Sequence, residues 1–247
     1  MNAASKNAID NSTVKERILA LNWDRHSQEL ATKGYTIVSE LLTHDDCMTM
    51  IGYYDDPGNF RKTVNMSRHR FGVGEYKYFQ YPLPDTIQKV RENLYPLLSK
   101  IANAWNNALH IDYTYPSLHE TFLEECRIAG QLLPTPLILK YGGGGYNTLH
   151  QDLYGDVFFP MQAVILLSDP GTEFTGGEFV LVEQVPRAQS RAIVLRLGKG
   201  DSLIFTTQFR PEEGSKGYYR VQVKHGVSEI HQGSRYSMGI IFHDAVN

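Results

Sequence analysis

A chain of 247 residues suffices for one well-packed domain or two small ones, and its 42% hydrophobic and 21% charged content is that of an ordinary globular protein. The net charge of −3 argues against binding dominated by phosphate contacts, although a local basic patch could sit inside a neutral average. Two cysteines, Cys47 and Cys126, make neither a disulfide framework nor a structural zinc site, no apolar run approaches about eighteen residues, and residues 1–12 lack a signal core, so the cytoplasm is the default compartment.

Residues 1–12 are small and polar and read as a frayed end. Residues 14–32 read as one helix, with Val14, Ile18, Leu19, Leu21 and Leu30 near helical spacing, stopped by Gly34. Residues 35–38 form a short β-type run. Thr43 should cap a helix that turns Cys47, Met50 and Ile51 inward and ends near residues 55–58. Residues 61–84 mix cations, aromatics and glycines with no clean period. Asp85 should cap a long helix over about 86–109, interrupted at Pro96, and a shorter helix is expected over 116–129. From Pro134 the texture turns to β, with runs expected at 137–141, 148–152, 161–167, 178–182, 191–195, 202–206, 219–225 and 236–242. There is no internal repeat. The pattern predicts an α+β fold: a sandwich or barrel of two sheets, read as a jelly roll over 133–247, with 1–132 as a mainly helical layer packed on it in the same domain.

Chemistry concentrates in the β half. Strand alternation turns His150 and Asp152 to one face and Gln151 to the other. His225, at the end of its run, can close a facial triad from across the barrel, and two imidazoles with one carboxylate suit ferrous iron with open coordination sites. A lone His-x-Asp is often coincidence, so the neighbours decide. Arg235 and Ser237 share a face of the last run, and a buried guanidinium is costly unless its planar fork meets a carboxylate. That carboxylate is a bound acid or a structural partner such as Glu178 or Asp201. The four glycines 142–145 lack the Lys-Ser/Thr ending of a phosphate loop and precede a β-run, so they read as a tight turn. Tyr141, just before them, either donates into a cavity or packs as a core aromatic. In residues 68–79, Arg68, His69, Arg70 and Lys77 supply charge and Phe71, Tyr76, Tyr78 and Phe79 supply stacking faces. That stretch is the candidate substrate lid, suited to a nucleic acid, a small carboxylate or an aromatic substrate, or else a loop over the barrel mouth. His231, His243, Glu178, Trp23, Trp105 and Cys47 read as structural.

Taken together, Leu149-His150-Gln151-Asp152, Thr175-Gly176-Gly177-Glu178-Phe179, Lys199-Gly200-Asp201, His225-Gly226-Val227 and Arg235-x-Ser237 resemble the double-stranded β-helix (jelly-roll, cupin-like) core of iron(II)/2-oxoglutarate-dependent dioxygenases over about residues 133–245. Residues 70–84 and 149–155 are similar to a narrower bacterial branch described as oxygenases acting oxidatively on damaged (alkylated) DNA. The resemblance implies that His150, Asp152 and His225 hold catalytic Fe(II). It implies that Arg235, assisted by Ser237 and more weakly Tyr141, holds the distal carboxylate of the co-substrate 2-oxoglutarate. With dioxygen, such an enzyme hydroxylates a C–H bond and releases succinate and carbon dioxide. The acidic balance and the absence of a DNA-reading helix favour a small molecule, amino acid or peptidyl side chain over oxidative dealkylation of nucleic-acid bases. Arg68, Arg70, Tyr76, Lys77 and Tyr78 are the candidate substrate contacts. A non-catalytic cupin-like metal-binding or sensory module is the alternative of a different class.

Overall fold

A computed structural model describes residues 12–246, so the frayed end expected at residues 1–12 lies outside the described residues except for Ser12. Thr13 caps a first helix, Val14–Leu19 (α1), through a reciprocal box with Glu16. The single helix expected over 14–32 is in fact two. Asn22 accepts from the Arg25 amide and starts Trp23–Lys33 (α2), which ends on Gly34 at φ 74°. A cap-forming side chain at residue 22 thus overrides the continuous apolar spacing. Thr43 caps His44–Gly52 (α3), which buries Cys47 and Met50. Asp85 is not a cap: Pro84 takes that position and Asp85 opens Asp85–Ala108 (α4), pairing with Lys89 at 3.4 Å. Proline's fixed φ suits the boundary, and the carboxylate still sits in the first turn, where the helix dipole favours it. The shorter helix starts late, as His119–Ile128 (α5), because Asn103 bonds both backbone groups of Tyr115 and holds the chain extended ahead of it.

The strands are Tyr35–Val38 (β1), Phe60–Asn65 (β2), Gly72–Val73 (β3), Glu75–Phe79 (β4), Leu137–Tyr141 (β5), Tyr146–His150 (β6), Met161–Leu166 (β7) and Phe174–Gly176 (β8). They continue with Phe179–Gln184 (β9), Arg191–Leu195 (β10), Ser202–Thr206 (β11), Phe209–Gly214 (β12), Gly217–Val227 (β13), Ile230–Gly233 (β14) and Arg235–Ile240 (β15). A major sheet runs β1-β11-β7-β15-β5-β4-β2 and a minor sheet β10-β9-β13-β6-β3, with β12 on β13 and a β14-β8 pair apart. This is the jelly roll, and all pairs within it are antiparallel. Alternation divides the apolar residues between two layers. Val164, Leu166, Leu203 and Phe205 of the major sheet meet Phe179, Leu181 and Val223 of the minor sheet between the sheets. Ile138, Ala163, Ile165, Ile204 and Met238 face the other way, against Leu94, Leu98 and Trp105 of α4. Arg91 of α4 locks that layer to the chain after β15, donating to Asp244 and to the Phe242 carbonyl, both at 3.0 Å.

The first half is less purely helical than its texture suggests. Its four strands extend both sheets, β1 on β11, β4 on β5 and β3 on β6. Half of residues 61–84 are therefore strand. Their period is masked because Lys77, the outward residue between Tyr76 and Tyr78, packs its ammonium 4.0 Å from the Tyr54 ring centroid and so sits among aromatics too. The short β8, β12 and β14 carry no alternating apolar signal of their own. β6 stops at His150, so Asp152 lies two residues beyond the strand expected to hold it.

Candidate metal centre and anion pocket

His150 and His225 are register partners across β6 and β13, which brings their ring centroids to 4.1 Å. Phe179 stacks parallel to His225 at 5.8 Å and Phe205 meets it edge-on at 4.9 Å. His150 Nδ1 donates to the Thr148 carbonyl at 2.8 Å, which leaves its Nε2 lone pair free. That nitrogen is 3.5 Å from Asp152 Oδ1, and His225 Nε2 is 3.2 Å from Asp152 Oδ2. One ligand atom from each of the three lies within 4.8 Å of the others. Burial would push the Asp152 carboxyl up, but the hydrogen bond and charge of His225, the charge of His150 and the Tyr154 hydroxyl hold it well below the usual range. Burial, then the charge of His150, pulls the His225 imidazole down. Asp152 is thus held as the carboxylate and His225 is biased toward its neutral imidazole, the forms that bind a metal.

Two further side chains reach Asp152 that sequence reasoning did not single out. Tyr154 Oη donates to Oδ1 at 2.7 Å, and Gln162 Nε2 donates to Oδ2 at 3.0 Å. The signal for Gln162 was its place in Met-Gln-Ala-Val-Ile-Leu, an amide in a strand otherwise apolar on both faces. Gln151 points away, bonding the carbonyls of Gln208 and Val223.

Arg235 opens β15 and is 2% exposed. Its Nη1 donates to Ser237 Oγ at 3.0 Å, its Nε has no partner, and no carboxylate among the described residues pairs with it. Glu178 is engaged by Ser228 and Arg196, and Asp201 by the amides of Glu40 and Gly198. Tyr141 is its register partner on β5, fully buried, with a hydroxyl that also lacks a partner. The rings of Tyr141 and Phe174 lie 5.8 and 5.9 Å from the guanidinium. Burial lowers Arg235 to about 10, which keeps it cationic at neutral pH, and burial raises the Tyr141 phenol despite the arginine's charge, which keeps it a donor. A buried cation beside an idle hydroxyl fits an anion supplied from outside the chain.

A cavity of about 240 Å³ is lined by Tyr141, His150, Asp152, Gln162, His225 and Ser237 among others; Arg235, bonded to Ser237, does not itself line it. Tyr76, Tyr78 and Phe71 also line it. Lys77 does not: its Nζ bonds the Tyr54 carbonyl at 2.9 Å on the opposite face of β4. Arg68 and Arg70 are exposed on the turn between Met66 and Phe71, two cavity-lining residues, and pair with no acid among the described residues. The lid expected over 68–79 thus reduces to this turn, since β4 is held between β2 and β5.

The model of the Oxygenase-NA family, described as an oxygenase catalysing oxidative methylation of damaged DNA, matches residues 74–245. The uncharacterized protein Rv2227 of Mycobacterium tuberculosis is 48% identical over 167 residues, 68% of this chain and 72% of that protein. Solved structures share the fold at low identity. A Pseudomonas putida prolyl-4-hydroxylase aligns at TM-score 0.51 and 14% identity, over 88% of this chain and 96% of that one. A Trichoplax adhaerens prolyl hydroxylase, in complex with a hypoxia inducible factor peptide, aligns at 0.55 and 13%, over 94% and 93%. A Burkholderia pseudomallei oxidoreductase of the 2OG-Fe(II) oxygenase family aligns at 0.55 and 10%, over 92% and 94%.

Proposed function

The chain belongs to the Oxygenase-NA family, and from that premise we propose that it is an iron(II)- and 2-oxoglutarate-dependent dioxygenase that hydroxylates a C–H bond on a small group of its substrate. The observation that carries this is Arg235, a buried cation with no anionic partner among the described residues, in the same barrel as a cluster of two histidines and a carboxylate. A module that only stored or sensed a metal would have no use for that cation, whose burial is costly. His150, Asp152 and His225 would hold the iron, which with 2-oxoglutarate and dioxygen supplies the oxidative decarboxylation that yields succinate and carbon dioxide. Arg235 forks the distal carboxylate of 2-oxoglutarate, with Ser237 and Tyr141 adding neutral donors beside it. Phe179 and Phe205 pack His225 and keep water from its buried side.

The cavity limits the substrate. Its volume of about 240 Å³ falls below the roughly 300–1,000 Å³ of pockets that enclose a whole drug-sized ligand, and 2-oxoglutarate must share it. The reacting group is therefore a small projection, such as an amino-acid or peptidyl side chain or one end of a small molecule, set against Tyr76 and Tyr78. Its carrier stays at the mouth, by Phe71, Arg68 and Arg70. A second reading, oxidative dealkylation of nucleic-acid bases, is favoured by the family's description and by those unpaired arginines next to the stacked His69 and Phe71 rings (5.3 Å, 21°).

Anaerobic addition of iron(II) and 2-oxoglutarate should give a weak visible charge-transfer band, absent in Asp152→Ala; no band at saturating concentrations of both would overturn the co-substrate assignment. Succinate release screened against peptides, free amino acids and methylated oligonucleotides should then respond to one of the first two. Stimulation by methylated oligonucleotides alone would establish the second reading.

A further inference from the structure

We infer that Gln162 and Tyr154 are positioning residues that together orient the Asp152 carboxylate as a metal ligand. The inference rests on the reading of His150, Asp152 and His225 as that ligand set. The two histidines need no such help, because their backbones are register partners in an antiparallel pair. Asp152 lies past the last ladder pair, in a segment with no strand hydrogen bonds to set its direction. Each of its oxygens instead accepts one side-chain hydrogen bond, Oδ1 from Tyr154 Oη at 2.7 Å and Oδ2 from Gln162 Nε2 at 3.0 Å.

Gln162 has no evident second task. It is 4% exposed, on a strand whose other residues are apolar and buried. Its Nε2 reaches Asp152 and, at 3.2 Å, His225 Nε2, and its Oε1 is buried without a partner. An amide buried for packing would leave both ends unsatisfied, which is costly, or find partners for both. Here every hydrogen-bond partner is one of two candidate metal ligands. It is also a contact across the barrel: Gln162 belongs to the major sheet, while His150 and His225 belong to the minor sheet. Tyr154 is set from the other flank, its ring edge-on to Tyr78 at 6.2 Å.

The test is anaerobic titration of iron(II) alone into the full chain, read by calorimetry, beside thermal unfolding of the same samples. Gln162→Leu keeps the volume and removes the donor. It should weaken iron(II) binding by about 10- to 100-fold, the range for partners that orient a ligand, without lowering the melting temperature of the metal-free protein. Tyr154→Phe should weaken binding in the same direction. It removes one hydroxyl only, so it carries the test if Gln162→Leu does not fold. Affinity within twofold of wild type in the folded variants, with binding lost in His150→Ala, would overturn the inference. Undiminished binding in His150→Ala would instead overturn the ligand set itself. A lowered melting temperature with unchanged iron affinity would assign Gln162 to packing and overturn the inference as well.

Discussion

Arg235→Ala isolates the anion pocket. A charge-assisted bidentate contact is worth about 1.5–3 kcal/mol, so the 2-oxoglutarate KM should rise about 10- to 100-fold, with Arg235→Lys in between because a point charge cannot fork. Succinate formation against 2-oxoglutarate concentration measures it, and an unchanged KM would move the anchor to another cation. His150, His225, Arg235 and Ser237 were legible in the sequence because strand period and residue type fix both their facing and their chemistry. Asp152 was named for a reason that does not hold, since β6 ends before it. Gln162 and Tyr154 were not legible, because a neutral side chain acquires a role only when tertiary contacts place it against a carboxylate. The facing of Lys77 was not legible for the complementary reason: an ammonium lying over Tyr54 sets a cation on the outer face among aromatics.

Between elements, two contacts decide whether the parts stay in place. Arg91 of α4 is fully buried against Asp244 at 3.0 Å. Removing one member of such a pair strands the other, so Asp244→Ala should cost about 3–5 kcal/mol in urea unfolding, far more than a surface pair would. Gly226 lets β13 lie close against β6: a Cβ there would stand 2.7 Å from the Asn147 carbonyl oxygen. Gly226→Ala should push β6 outward and separate His150 from its partner, which iron(II) titration would detect as weakened binding. The β5, β7, β11 and β15 strands were readable from their apolar runs. The division of α1 from α2, and the strand character of residues 60–79, depended on one cap and on mixed faces that no period reveals.

For the whole molecule, burial first and the charge of Arg91 second pull His119 and His243 down to about 3, from an ordinary 6.5. Both are neutral in the folded chain, whereas the unfolded chain takes up these protons below about 6.5. Their contribution to stability is therefore complete above about 6.5 and is lost progressively as pH falls from there toward about 3. The melting temperature should be flat from pH 7 to 8 and drop from 6 to 4, and His119→Gln should make that drop shallower. The strand order has a different consequence. β15 lies at the middle of the seven-stranded sheet, yet it is the last strand in chain order, and it carries Arg235 and Ser237. Until it inserts between β7 and β5, the sheet is two separated halves, with β1, β11 and β7 on one side and β5, β4 and β2 on the other. Sheet closure and delivery of the guanidinium are thus one event. Any lesion that keeps β15 out removes the sheet and the buried guanidinium together.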